Sequence, residues 1–591
     1  MDHALPNWDI THLYPSYDSQ EIKDDITRIT ELVTSFYNTY YQRISNNISA
    51  ETFVDALKQY ENIEDAIGKI ASYAGLIFST DADDPNIAQV YQNINEFVQT
   101  QSSKLVFFTL ALNQIDDALL QKLLSNKNVA YYEPWIRDIR TFKPYQLDEK
   151  LEQLLSDSSI ASRQNWVRLY DTLLDNMEIS IDDNHHTLTE ALDLLSHSQE
   201  VERKKTALAL SEAFACHKDQ ITLIYNTIIK DESVSDAWRG FKRPVSSRNV
   251  ANMVEDDIVD SLAKTVTENF HALSERYYRI KATMLGKDAL EFWDRNAPLP
   301  EANEKNIPWE DAKEIVLNAY RKFSPEMARL GQRFFDECWI DAPVKKGKTS
   351  GAFSHPVVPS AHPYILVNYQ GKVRDVMTLA HELGHGVHQL LAAKQGALMA
   401  DTPLTLAETA SVFGEQLTFQ YLLEKETDDA ARKCLIASKV EDMLNTVIRQ
   451  IAFYNFETRM HDARKQGEVS ADAISEIWIE SQRESFGNAI NIDTNYAYYW
   501  TYISHFFHAP FYVYAYAFGD CLVNSLYAVY EEEKKRGEAA SFEKKYLDML
   551  QAGGTKRHKE LLAPFNIDIS HADFWQKGLN HISHMIDMLD A

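Results

Sequence analysis

The chain has 591 residues, with 59 Lys and Arg against 87 Asp and Glu, a formal net charge of −28. That length calls for several structural units or one large multi-lobed body, and so acidic a chain repels phosphate backbones, which excludes nucleic acid as a partner. Cys216, Cys338, Cys434 and Cys521 lie far apart with no CxxC pair, which speaks against a disulfide framework and against a thiolate metal knuckle.

The opening residues carry no basic stretch followed by an apolar one, and the longest apolar run, near Leu105 to Leu112, is far shorter than the ~18 residues a membrane span needs. A cytoplasmic protein with no membrane partner is expected. Apolar residues at three- and four-residue spacing predict helices over Glu21 to Asn46, Ala50 to Thr80, Pro85 to Ala111 and Leu147 to Met177. From Met177 to Thr189 the pattern changes to alternation around an Asp-Asp-Asn cluster, which predicts a hairpin and a lobe boundary near 185. Helical periodicity returns over Leu188 to Lys230, Asp256 to Leu285 and Trp309 to Phe334, with a proline-bearing connection from Asn296 to Pro308. Gly351 to Gly371 is rich in prolines and β-favouring residues and predicts a short strand pair.

The segment Val373 to Ala393 contains no proline and places Val376, Leu379, Leu383, Val387 and Leu390 near one stripe, so it predicts a helix. His381 and His385 fall four apart on it, a spacing that turns ~40° and climbs ~6 Å, so that two imidazoles can converge on one Zn²⁺. Glu382 between them can take a proton from a water beside the metal and pass it to the leaving amine, the work of a general base and acid. A third protein ligand is still required. His388 lies ~10 Å beyond His381 along the axis, too far to join the same ion, and is expected to line the site instead. Leu391 occupies the position where a metzincin carries its third histidine. The next predicted helix, starting near Pro403, carries Glu408 and Glu415 seven apart among the apolar Leu406, Ala407, Ala410, Val412 and Phe413. Glu408 is the expected third ligand, against the commoner fate of glutamates on a solvated face. Ser411 and Glu415 follow at helical spacing and can orient Glu408 or a zinc histidine. Gly384 and Gly386 cost about 1 kcal/mol each in a helix interior, which a close approach at the site or a tight helix crossing explains equally.

Aromatic residues crowd Asn491 to Gly519 around His505, His508 and Pro510. If Pro510 opens a helix, His505 and His508 sit in the preceding loop and Tyr512 in its first turn. A phenol or an imidazole N–H there suits the stabilisation of an oxyanion; the rival reading is an aromatic core. His505 and Tyr512 are the candidates for the first role, and His508 and Tyr514 for lining the substrate.

The run HELGHGVHQ, then AETASVFGE, then SHFFHAPFYVYAYA resembles the M3 family of zinc metallopeptidases, in its oligoendopeptidase F subgroup, as does the opening WDITHLYPSY. The resemblance implies a mainly α, multi-lobed helical protein with a deep substrate channel and a small sheet beside the HExxH helix. It also implies one Zn²⁺ per chain and zinc-dependent endopeptidase action on internal bonds of short oligopeptides. By motif, His381 and His385 match the zinc histidines, Glu382 the catalytic carboxylate and Glu408 the glutamate of the ExxS pattern that ends at Ser411. Residues 1–185 then form an N-terminal helical lobe and 186–591 the catalytic domain. Gly351 to Asn368 resembles the family's strand and loop beside the zinc helix, where an extended peptide could pair by strand addition. Thr405 departs from the aspartate of the thimet-like branch, and His505 to Tyr512 replaces its glycine-rich tyrosine loop. The rival readings are an M3-like exopeptidase of the dipeptidyl carboxypeptidase kind and a non-catalytic peptide-binding protein.

Overall fold

A computed structural model describes residues 5–159, 161–299 and 306–590. Helices dominate, and the chain divides into two compact units that interleave along the sequence. The first comprises Met1–Lys143, Glu304–Lys425 and Tyr530–Ile567, and the second Pro144–Asn303, Glu426–Val529 and Asp568–Ala591. The linear boundary expected near 185 therefore falls inside the second unit. No helix of the described residues is long and apolar enough to cross a membrane.

In the first unit, helices Gln20–Tyr40, Ala50–Thr80 and Pro85–Gln114 pack on one another much as their periodicity predicts. Ile29, Val33 and Phe36 form a fully buried stripe on the first of them, and the Phe36 and Phe108 rings meet edge to face at 5.3 Å. Ser49 and Asp84 cap the second and third, accepting N–H bonds from Thr52 and Asn86. The single helix predicted over Trp309 to Phe334 is two, Trp309–Phe323 and Pro325–Asp336. Pro325 has no N–H to continue the ladder and forces Ser324 into the extended region at φ −145°, ψ 116°, from where the Ser324 hydroxyl caps the second helix at Met327 N–H.

A three-stranded sheet follows in the order Ile340–Asp341, Tyr364–Leu366, Phe353–His355. The predicted pair from Gly351 to Gly371 supplies two of its strands, antiparallel with Ser354 opposite Ile365, and Ile340–Asp341 adds a parallel third that periodicity did not show. Phe353–His355 is the edge. Next come the histidine helix, Val373–Ala392, and the glutamate helix, Leu404–Lys425. Leu379, Leu383 and Val387 of the predicted stripe are wholly buried.

In the second unit, Ile179–Ile181 and Asn184–His186 pair antiparallel as the predicted hairpin. The helix predicted over Leu147 to Met177 is two, Glu149–Ser159 and Arg163–Asp175. Periodicity over Leu188 to Lys230 resolves into Leu188–Leu194 and a long helix Glu200–Arg239, and that over Asp256 to Leu285 contains a π-helical turn at His271–Glu275. The centre of the connection from Asn296 to Pro308, residues 300–305, lies outside the described residues.

Candidate active site

The first unit brings three of the expected residues to one point. On the histidine helix, His381 and His385 present their rings at a centroid distance of 4.9 Å and 80° to each other. Glu408, from the glutamate helix, places Oε2 3.3 Å from His381 Nε2 and 3.5 Å from His385 Nε2. The ligand atoms of this trio all lie within 4.8 Å of one another, and it is the one such cluster of His, Cys, Asp and Glu among the described residues. Bonds of about 2.0–2.1 Å to a tetrahedral ion set ligand atoms roughly 3.3–3.4 Å apart, so the donor spacing and the His-His-carboxylate chemistry both fit zinc.

Why the two helices approach so closely is visible at Gly384. A Cβ there would stand 2.5 Å from the Ala410 carbonyl oxygen and 2.7 Å from Ser411 Cα, so only glycine admits the glutamate helix. Gly386 similarly leaves room for the Phe334 ring. Packing against two different helices thus accounts for both glycines, and at Gly384 the close crossing is the same contact that carries Glu408 to the histidines. Tyr320, fully buried, donates its hydroxyl to the Ala380 carbonyl at 2.6 Å and anchors the turn ahead of His381.

The surrounding polar atoms orient these donors. Ser411 Oγ donates to Glu408 Oε2 at 2.7 Å, and Glu415 Oε2 lies 3.3 Å from His381 Nδ1, which leaves Nε2 facing Glu408. His388 is buried, stands 3.3 Å from the Thr402 hydroxyl and stays outside the trio. With His385 it borders a cavity of about 470 Å³ also lined by Val358, Pro359, His362 and Asp401.

The electrostatics follow from burial and from these pairings. Burial alone depresses the His381 pKa, but Glu408 and Glu415 outweigh it and carry the ring up to about 10. Burial of Glu408 opposes its ionisation, yet the two histidines and Ser411 hold it down at about 2. His385 faces Glu408 but no second carboxylate, and burial drives it down to about 4. Glu382 is buried and its pKa is raised to about 7, chiefly by desolvation, with a backbone hydrogen bond from Ser354 working against the rise. Ser354 and its partner Gln389 gave no motif signal in the sequence.

The remaining candidates lie in the second unit. His505 and His508 belong to a short helical turn, His505–His508, and not to a loop. Pro510 does not open a helix either: residues 509–513 form turns and the next helix is Tyr514–Lys535, so Tyr512 precedes it. Phe511 at φ +58° lies in the left-handed region, which interrupts the helical path. The His505 and Tyr512 rings stack at 5.8 Å, and His505 Nε2 meets the Tyr516 hydroxyl at 3.2 Å. Tyr516, which sequence reasoning did not put forward as a donor, thus joins a three-donor group; its spacing of four from Tyr512 was the available signal. His508 pairs with Asp171 at 2.7 Å. Tyr514 is wholly buried and accepts a hydrogen bond from Asn252 Nδ2 at 2.8 Å, a core residue instead of a substrate-lining one.

A pair of helix-borne histidines flanking a buried glutamate, with a second carboxylate closing the trio, defines a metal-dependent peptidase. Residues 194–581 match the profile of Peptidase family M3, and residues 112–178 that of Oligopeptidase F. The chain belongs to peptidase family M3 and is a metallopeptidase. It is 25% identical to oligopeptidase PepF of Bacillus subtilis, covering 99% of this chain and 87% of that protein. To an oligoendopeptidase F homologue of Borreliella burgdorferi it is 26% identical over 95% and 94% of the two chains. The same fold occurs in a peptidase from Chlamydophila abortus, at a TM-score of 0.86 and 23% identity over 99% and 97% of the chains. It recurs in oligoendopeptidase-F from Enterococcus faecium, at 0.72 and 18% over 97% and 98%.

Proposed function

We propose that this metallopeptidase is a zinc endopeptidase that hydrolyses internal bonds of short oligopeptides in the cytoplasm, with His381, His385 and Glu408 as ligands to one Zn²⁺. The observation that carries this reading is the pair of 3.3 and 3.5 Å separations from Glu408 to the two imidazoles, beside a buried glutamate whose pKa is raised to about 7. The relatives named as oligopeptidases and oligoendopeptidases support the choice of peptide substrates. When bound, the ion supplies Lewis acidity, polarising the scissile carbonyl and acidifying water.

The chain's own residues do the rest. Glu382 takes the proton from the attacking water and returns it to the leaving amine, a task suited to a carboxyl that titrates near neutrality. Ser411 and Glu415 hold Glu408 and His381 in their ligating poses. His505 and Tyr512 donate to the carbonyl oxygen as it gains charge, and Tyr516 steadies His505. Side chains of the peptide take the cavity beside His385.

A peptide-length ladder with blocked ends, incubated with and without a chelator and mapped by mass, tests this. Cuts at internal bonds of the shorter peptides that stop on chelation and return with Zn²⁺ are expected; cleavage indifferent to the chelator, or no cleavage of end-blocked peptides, overturns it.

A further inference from the structure

The cavity of about 470 Å³ beside His385 carries two carboxylates on its wall, Glu64 from the helix Ala50–Thr80 and Asp401 from the turn ahead of the glutamate helix. No Lys or Arg stands among its described lining residues, so the space holds fixed negative charge and no fixed positive charge. Glu64 is half-buried and Asp401 is open to the cavity. Desolvation raises the pKa of both above the ordinary carboxylate value, and no neighbouring cation lowers either. Much of the remaining wall is apolar, as at Val358, Pro359, Leu390 and Ala397. Both carboxylates stand on backbone that is held in place. A Cβ on Gly68, one turn after Glu64, would lie 2.6 Å from Val358 Cγ1, so helix and loop close on each other there. A Cβ on Gly554 would stand 2.5 Å from the Asp401 carbonyl oxygen, and the Gly554 N–H donates to the Met399 carbonyl at 2.9 Å. Just before that turn, the Tyr131 hydroxyl donates to the Gln395 carbonyl at 3.0 Å and Gln395 Nε2 to the Gln551 carbonyl at 2.7 Å.

We propose that this cavity is a specificity pocket for a basic side chain, lysine or arginine, on a residue flanking the scissile bond, with Glu64 and Asp401 as the residues that select it. The inference deepens the endopeptidase reading and rests on it. His385 belongs both to the candidate metal trio and to the cavity wall, so a side chain seated there is attached next to the bond presented to the ion. The chemistry of the occupant follows from the wall. An acidic side chain would add a third negative charge to the two already there, and a purely apolar one would leave two carboxylates stripped of water and unpaired. A long aliphatic stem with a cationic tip covers the apolar wall and answers the carboxylates together, which describes lysine and arginine. A free α-amino terminus brings the charge without the stem and leaves that wall bare.

The zinc-loaded enzyme is given end-blocked peptides with a single cleavable bond, varied on either side of that bond by arginine against citrulline, which has the same length and no charge. At one of the two positions arginine should raise kcat/KM by about tenfold. Each enzyme is judged by this ratio, so that a general loss of activity or of folding in a variant cancels. Glu64→Gln combined with Asp401→Asn should bring the ratio to within about twofold of equality. Glu64→Gln combined with Asp401→Lys should go further and favour glutamate over glutamine at the same position. Arginine and citrulline peptides cut within about twofold of each other at both positions by the unaltered enzyme, a ratio that both double variants leave intact, or a preference that appears only when the amino terminus is free, each overturns the pocket's selectivity. Failure to cut any member of the set, or cutting indifferent to a chelator, instead defeats the endopeptidase reading beneath it.

Discussion

The histidine and glutamate helices of the first unit and the aromatic segment from Asn491 to Gly519 of the second carry the two halves of the proposed chemistry, and they are built on opposite principles. In the first, backbones touch: Gly384 lets the Ala410 carbonyl within what would be 2.5 Å of a Cβ, and the polar atoms converge on a point with every orientation fixed by a neighbour. In the second, rings fill the space. Trp500, Phe506, Phe507 and Tyr514 are buried and Tyr170 stacks on Phe507 at 3.8 Å, while the polar tips of His505, Tyr512 and Tyr516 gather at one side. A metal site demands spacing, whereas hydrogen-bond donors can be delivered by many different packings. Function is therefore expected to be brittle in the first region and graded in the second.

The largest effect should come from Glu382→Gln, which keeps the side chain's shape and removes its basicity. Cleavage is expected to fall by about 10²–10⁴-fold with zinc still bound, as read by metal analysis of the purified protein. Glu408→Ala should instead lose the metal itself. Turnover by a zinc-loaded Glu382→Gln protein near the unaltered rate would break the contrast at its base.

In the aromatic segment, Tyr512→Phe removes one hydroxyl and leaves the ring. A drop in kcat of roughly 10²-fold with zinc content unchanged is expected if that hydroxyl meets the developing charge. Tyr516→Phe, acting only through His505, should cost less. Equal and small losses for both would reduce the segment to packing.

Gly384→Ala tests the helix crossing without touching a ligand. The added methyl meets backbone, which cannot swing aside, so the helices must part and a penalty of about 1–3 kcal/mol is expected. Because Ser411 Cα lies in the same contact, zinc affinity should fall along with Tm; lowered stability with unaltered affinity would show that the crossing and the metal trio are independent.

The same contrast governs what could be read from the sequence. The convergence of His381, His385 and Glu408 was legible because metal chelation constrains residue type and helical spacing together, and because apolar neighbours marked the inward face of the second helix. Most helices announced themselves by period, and they failed where one residue overrides the period, as Pro325 does by ending a helix that its flanking apolar stripe continues. Residues 505–513 were misjudged because proline was taken as a helix start, while the left-handed Phe511 depends on tertiary anchors: the Glu457 carboxylate on its own N–H and Arg248 Nε on the Pro510 carbonyl at 3.1 Å. Ser354 and Gln389 were invisible for a similar reason, since their contact spans 35 residues and joins a strand to a helix.

The smallest effect concerns that anchor. Glu457 is fully buried in the second unit; one carboxyl oxygen accepts from Phe511 N–H at 2.9 Å and the other has no hydrogen-bond partner. Burial pushes its pKa up to about 8 from an ordinary value of 4.5. The folded protein thus keeps the proton while the unfolded chain releases it, and stability falls as pH rises through the window from 4.5 to about 8. Glu457→Gln has the same shape, still accepts from Phe511 and does not titrate. Its Tm should match that of the unaltered protein near the lower end of this window and exceed it by about a degree or more above the upper end, in paired melts across the range. A difference that is flat with pH, or that favours the glutamate in alkali, would mean that Glu457 is ionised in the fold, and that the segment bearing Tyr512 is held by a charge instead of a neutral hydrogen bond.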